Sequence, residues 1–144
     1  MKLILDQQHL DLMRNHLEEN YPHEACGFFS GDDEAQVRDV GDLWTVANKS
    51  TENLKRRFLI DPVDYLKAER RVTENQTNLL GLFHSHPDHP AYPSKHDLAA
   101  AQPYFSYIIA SVENGKLGDV RSFRLINDEF HEEEVIIKPE KNIS

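Results

Sequence analysis

The sequence predicts an α/β (α+β) fold, a single domain in which a curved mixed β-sheet is flanked by about three helices. Three observations predict it. Helical signals recur near residues 7–20, 61–75 and 94–102, and segments rich in β-branched and aromatic residues lie between them. Hydrophobic residues make up 39% and charged residues 28%, a globular balance. The 144 residues show no repeat, linker or low-complexity tract, so 1–144 is read as one domain, with about 138–144 ("KPEKNIS") a tail that need not be ordered.

In chain order, "QQHLDLMRNHLEEN" puts Leu10, Met13 and Leu17 on one helical face. Pro22 in "YPHE" ends that helix. "ACGFFSG" reads as a short buried strand closed by a turn at Gly31–Asp32. From Ala35 to Asn48 one or two strands are expected, interrupted near Gly41–Asp42, with Trp44 packing; "RRFLI" is expected to be another strand. Asp61 as N-cap and Pro62 at the first helical position start a helix through "DPVDYLKAERRVTEN". "NLLGLFHSH" is an apolar run turning polar, an interior strand reaching the surface. Ser94 opens a helix running to Pro103, "YFSYIIASV" and "GDVRSFRLI" are strands joined at "ENGKLG", and "FHEEEVII" is a final edge strand.

Charge and cysteine usage narrow the function classes. A net charge of −9 disfavours nucleic acid and anionic membrane as partners. No apolar stretch is long enough to span a bilayer, and Asp6 interrupts the N-terminal apolar run too early for a signal peptide. The single cysteine, Cys26, excludes an internal disulfide and suits a reducing cytoplasm; a small buried hydrophobe is its expected role.

The segment "GLFHSHPDHPAYPSKHD" holds four of the eight histidines and prolines at 87, 90 and 93. On a strand, His84 and His86 point to one face and Ser85 to the other. The prolines stiffen a return loop, and Asp97 lies on the first turn of the helix opened at Ser94. Two imidazoles and a carboxylate make the three-ligand set of a catalytic zinc, with a fourth position left for water. "SKHD" is also a capping box, and by itself that is its commoner meaning. The conjunction H-x-H-x7-S-x2-D is expected by chance on the order of 0.002 times at this composition, which favours the metal. His89 and His96 are read as solvated or supporting residues; His9, His16, His23 and His131 are scattered.

These residues resemble the signature of the JAMM (MPN-plus) zinc metalloproteases, an upstream Glu followed by H-x-H-P-x(n)-P-S-x-x-D. Glu24 in "PHEACGFFSG" and "HSHPDHPAYPSKHD" fill every position, and the likeness covers nearly the whole chain. The resemblance implies an MPN-like domain, one Zn2+ per chain on His84, His86 and Asp97, Glu24 as general acid/base, and Ser94 as hydrogen-bond donor to the oxyanion. It also implies a cytoplasmic enzyme cleaving an amide or isopeptide bond after the C-terminal Gly-Gly tail of a ubiquitin-like (sulfur-carrier) protein. Such tails often pair with a sheet edge. The compact chain is similar to members that trim sulfur carriers. Two alternatives stay open: a deconjugase releasing a modifier from protein lysines, and a non-catalytic zinc-containing binding module.

Overall fold

The structure is a computed structural model describing residues 1–139. Among them, seven strands form one closed sheet, and of the three helices α1 and α2 pack on opposite faces of it. In chain order these are β1 (Lys2–Asp6), α1 (Gln7–Asn20), β2 (Cys26–Glu34), β3 (Val37–Val46), α2 (Pro62–Glu74), β4 (Asn78–Pro87), α3 (Lys95–Ala100), β5 (Ser106–Glu113), β6 (Lys116–Ile126) and β7 (Glu129–Lys138). Around the barrel the order is β1-β3-β2-β4-β5-β6-β7. The β1–β3, β1–β7 and β4–β5 pairs are parallel and the rest antiparallel, so the sheet is mixed as expected. Among the described residues no helix is long and apolar enough to cross a membrane.

The strand β1 was not foreseen, and it changes β7. Only five residues long, "KLILD" buries Leu3 and Leu5 on alternate positions and runs parallel to both β3 and β7. β7 is therefore not an edge: it pairs with β6 on one side and β1 on the other. Every strand has a partner on both sides, but β1 covers only Val37–Asp39 of β3, so Val40–Val46 lies against β2 alone. The expected tail begins within this closure, because Lys138 still pairs with Asp6; residues 140–144 lie outside the described residues.

Three other expectations, the turn at Gly31–Asp32, the strand at "RRFLI" and the reach of α3, are corrected, and the interruption near Gly41 is specified. β2 runs straight through Gly31–Asp32 to Glu34, and the turn sits at Ala35–Gln36, both with positive φ, the backbone of a two-residue hairpin. Gly31 is a close approach: a Cβ there would strike the Asp39 carbonyl. The interruption near Gly41 is a bulge within a single β3, since Ser30 faces Asp42 and Gly31 faces Val40. "RRFLI" is a loop, not a strand. Its apolar residues pack singly, Phe58 against His84 and Ile60 into the core, and only Lys49 N to Leu59 O resembles a ladder bond. Helix α3 also stops at Ala100, short of Pro103, because Ala101 is already extended.

β4 carries the site and is buried along nine of its ten residues, as a strand covered on both faces must be. Phe83 packs with Met13 and Leu17 of α1, whereas Leu82 packs with Ala68 and Val72 of α2. Each such side chain contributes about 1.5–3 kcal/mol by leaving water. Alternation then carries both faces on to the end of the strand: His84 and His86 continue the Leu82 face, and Ser85 continues the Phe83 face.

Candidate metal centre

β4 and α3 bring three residues to one point. The His84 and His86 rings lie 5.1 Å apart, with His84 1% and His86 8% exposed. Opposite them, Asp97 Oδ1 is 3.2 Å from His84 Nε2 and Oδ2 is 3.1 Å from His86 Nε2. Asp97 is aimed there by its helix cap. Ser94 Oγ accepts from Asp97 N at 3.1 Å, and Asp97 Oδ2 accepts from Ser94 N at 2.7 Å, so the capping box is real.

Each imidazole has its outer nitrogen occupied. His86 Nδ1 donates to the Pro90 carbonyl at 2.9 Å, leaving Nε2 with its lone pair toward Asp97. His84 Nδ1 faces Glu24 Oε1 and the Ser85 carbonyl, both at 3.4 Å. Such outer-nitrogen contacts are what hold metal-ligating histidines in one tautomer and orientation. The proline-stiffened loop thus acts on the site through the Pro90 carbonyl.

His84, His86 and Asp97 form a group that could hold a metal ion, their ligand atoms all within 4.8 Å of one another. Ligand atoms about 2.1 Å from one tetrahedral ion lie roughly 3.4 Å apart, close to the 3.2 and 3.1 Å by which His84 and His86 each approach one of the two Asp97 oxygens. His84 Nε2 is buried and makes no hydrogen bond, an orphaned polar atom aimed at the centre of the group. The charges agree. Burial acts to lower the His84 pKa, but Asp97 and Glu24 outweigh it and hold it above the ordinary imidazole value. Burial acts to raise Asp97, yet the two histidines and the Ser94 amide hold it well below the usual carboxylate range. Two carboxylates around a histidine whose Nε2 faces Asp97 without a hydrogen bond make a place where a cation is favoured.

Glu24 is 5% exposed and sits just before β2, beside His84. Its backbone is tied on both sides. Glu24 N donates to Leu54 O at 2.7 Å, and the Asn48 side-chain amide donates to Glu24 O and to Arg57 O at 3.0 Å each. Asn48 Oδ1 accepts from Ser50 N and Leu59 N, so all four of its hydrogen-bonding positions are used. On the other face of β4, Ser85 Oγ accepts from Ala25 N at 3.0 Å. Asn48 and Ser85 thus position Glu24, and neither role stood out in the sequence. Phe58 stacks on the His84 ring at 4.4 Å and was likewise missed.

Two clefts meet at this group. One, of about 250 Å³, is bordered by Glu24, His84 and Asp97 and floored by Phe58, Ile60, Leu82 and Tyr107. The other, of about 320 Å³, is lined by Glu24, His86 and Ser94 together with Arg56, His89 and Tyr92, and Arg56 lines the first cleft as well. All five signature residues therefore line one or the other of two clefts that share Glu24 and Arg56. His89 and His96 line the clefts but lie outside the ligand group. Cys26 is wholly buried, its thiol pushed up to about 12 by burial and by the Glu24 and Asp64 carboxylates.

Residues 6–126 match the sequence profile of the family described as prokaryotic homologs of the JAB domain. The chain is 31% identical over 116 residues to a Thermus thermophilus protein named "Probable TtuB-protein conjugate cleaving protease", covering 81% of this chain and 71% of that one. It is 25% identical over 134 residues to the "CysO-cysteine peptidase" of Mycobacterium tuberculosis, covering 92% and 89%. Among solved structures, protein DSY2949 of Desulfitobacterium hafniense shares 33% identity at a TM-score of 0.83, over 97% of this chain and 94% of that one. AF2198, a JAB1/MPN domain protein of Archaeoglobus fulgidus, shares 20% identity at a TM-score of 0.55, over 94% and 99%, a likeness of fold.

Proposed function

We propose, since this chain belongs to the family of prokaryotic homologs of the JAB domain, that it is a zinc-dependent hydrolase cleaving the amide or isopeptide bond after the C-terminal Gly-Gly of a ubiquitin-like, sulfur-carrier protein. The observation that carries this reading is the convergence of His84, His86 and Asp97 on one point, with Glu24 and Ser94 on the walls of the same clefts. The donor set suits zinc: two imidazole nitrogens and one carboxylate oxygen leave a fourth position open. A zinc ion held there would supply Lewis acidity to the scissile carbonyl and to a water.

The chain's own residues do the rest. Glu24 takes a proton from the attacking water as its oxygen bonds to the carbonyl carbon. It returns that proton to the leaving nitrogen as the carbon–nitrogen bond breaks, so water is divided between the two products. Ser94 only accepts within its cap, through Oγ, which leaves its hydroxyl hydrogen free to donate to the carbonyl oxygen as negative charge develops. The apolar floor of Phe58, Ile60, Leu82 and Tyr107 keeps water away from one side of the group. The buried, reduced Cys26 is in keeping with a cytoplasmic setting.

The names of two relatives support carrier proteins as the substrate class, one a conjugate-cleaving protease and the other a peptidase acting on CysO-cysteine. The first also favours the second reading, a deconjugase acting on protein lysines. The test is to incubate the zinc-loaded protein with Gly-Gly-ending ubiquitin-like proteins of its own organism, extended by one amino acid or joined to a lysine. Product masses then report the bond cut. A zinc-loaded protein that cuts neither adduct is a binding module instead.

A further inference from the structure

The two clefts share one cation without an explained role. Arg56 lines both clefts, as Glu24 does, and in the second it shares the lining with His86 and Ser94. Among the described residues its guanidinium has no ion pair and no hydrogen bond, whereas the adjacent Arg57 pairs with Glu52 at 3.3 Å. A chain of net charge −9 repels free carboxylates, so an unpartnered arginine facing its reactive centre is a local reversal of sign. Arg56 is also held in place. Its N–H donates to Asn53 O at 2.9 Å, and the loop on either side is fastened to Glu24 through Leu54 O and through Asn48.

We propose that Arg56, with His89 beside it, is the receptor for the free α-carboxylate of a single amino acid attached to the carrier's C-terminus. This rests on the proposed function and narrows its leaving group. The α-carboxylate carbon of such a leaving group lies about 2.5 Å from the scissile nitrogen, across one Cα. Its receptor must therefore share a cleft with the group that protonates that nitrogen, as Arg56 does with Glu24 in both clefts. A lysine side chain instead puts four methylenes at that place and calls for an apolar lining. Of the two clefts only the first is lined by Phe58, Ile60 and Leu82, which suits the carrier's own tail. A guanidinium engages a carboxylate through two parallel hydrogen bonds, and an imidazole N–H at His89 adds a third donor. The chain is thereby a carboxypeptidase of carrier adducts in preference to a lysine deconjugase.

The experiment uses a Gly-Gly-ending ubiquitin-like protein of the same organism extended by one alanine, made with either a free C-terminal carboxylate or a carboxamide. Hydrolysis is followed by mass for the zinc-loaded wild type, Arg56→Gln and Arg56→Lys. Binding is followed by calorimetry in the zinc-loaded Glu24→Gln background. The wild type should favour the acid over the amide by about tenfold or more, the least that a charge-assisted hydrogen bond contributes. Arg56→Gln should erase that preference and Arg56→Lys should keep part of it. Equal handling of acid and amide by the wild type overturns the inference. So does Arg56→Gln weakening both substrates equally, which would make Arg56 part of the scaffold. Hydrolysis of neither adduct overturns the proposed function, while the calorimetric comparison of acid with amide still decides the carboxylate receptor.

Discussion

Ser94 and Asp97 bond each other twice, Ser94 N to Asp97 Oδ2 at 2.7 Å and Asp97 N to Ser94 Oγ at 3.1 Å. The same carboxylate faces both imidazole Nε2 atoms. One helix start thus does two jobs, and substitutions can separate them. Asp97→Asn keeps an oxygen acceptor for the Ser94 amide at the N3 position of the capping box. We expect its metal-free stability to stay within about 1 kcal/mol of wild type. Its zinc affinity should fall by more than the roughly 10–100-fold usual when only a ligand's orienting partner is lost. Ser94→Ala should behave oppositely, keeping zinc, losing about 1 kcal/mol of stability and losing about 100-fold or more in kcat. Metal analysis and thermal melts on the two variants check both. Retention of one zinc by Asp97→Asn would remove Asp97 from the ligand set.

Glu24 approaches His84 at Nδ1 rather than Nε2, at 3.4 Å. A carboxylate so placed can act as base in the cleft or orient the histidine. Glu24→Gln distinguishes the two, because an amide oxygen still accepts from Nδ1 but takes no proton from water. As base, Glu24 contributes about 10²–10⁴-fold. The variant should keep its zinc and lose kcat by that factor. Near-normal turnover with weakened zinc binding would make Glu24 an orienting residue only.

The site was more legible than the barrel around it, for physical reasons. H-x-H on a strand end and S-x-x-D at a helix start encode ligand direction through local periods of two and of one turn, so spacing alone carries them. Glu24 lies some sixty residues upstream and came from family likeness, since nothing local marks its carboxylate among 25 acidic residues. β1 escaped notice because five residues before a helix show little alternation, and the closure it makes depends on a partner at the far end of the chain. "RRFLI" misled because apolar residues that pack one by one from a loop resemble a strand in composition. Asn48 has no signal at all: its four bonds join segments that only the fold brings together.

Cys26 should be chemically silent in the native protein. It is 0% exposed, and burial with the nearby Glu24 and Asp64 carboxylates pushes its thiol up to about 12. A raised thiol pKa favours the protonated form, so thiolate is scarce until the solution approaches that value. Folded protein at pH 8 should leave an aromatic disulfide reagent unreacted, and unfolding in guanidinium should release one equivalent of colour. Rapid reaction in the folded state would show that the β2 start opens readily and that the thiol is reachable from the cleft.

Asn48 should matter more than its half-buried surface position suggests. Its amide donates to the Glu24 and Arg57 carbonyls and accepts from Ser50 and Leu59, fastening the loop to the residue before β2. At a net of about 0.5–1.5 kcal/mol per bond, and with partial replacement by water, Asn48→Ala should cost about 3 kcal/mol and lower Tm by roughly 10 °C. Asn48→Asp is the sharper probe. It has the same shape but turns both donors into acceptors facing two carbonyls, so it should be at least as destabilised as the alanine variant. Both should bind zinc normally, since no ligand is touched, while hydrolysis slows as Glu24 and the Arg56 loop drift apart. An Asn48→Asp protein that melts and turns over like wild type would show that packing, not these four bonds, holds Glu24 in place.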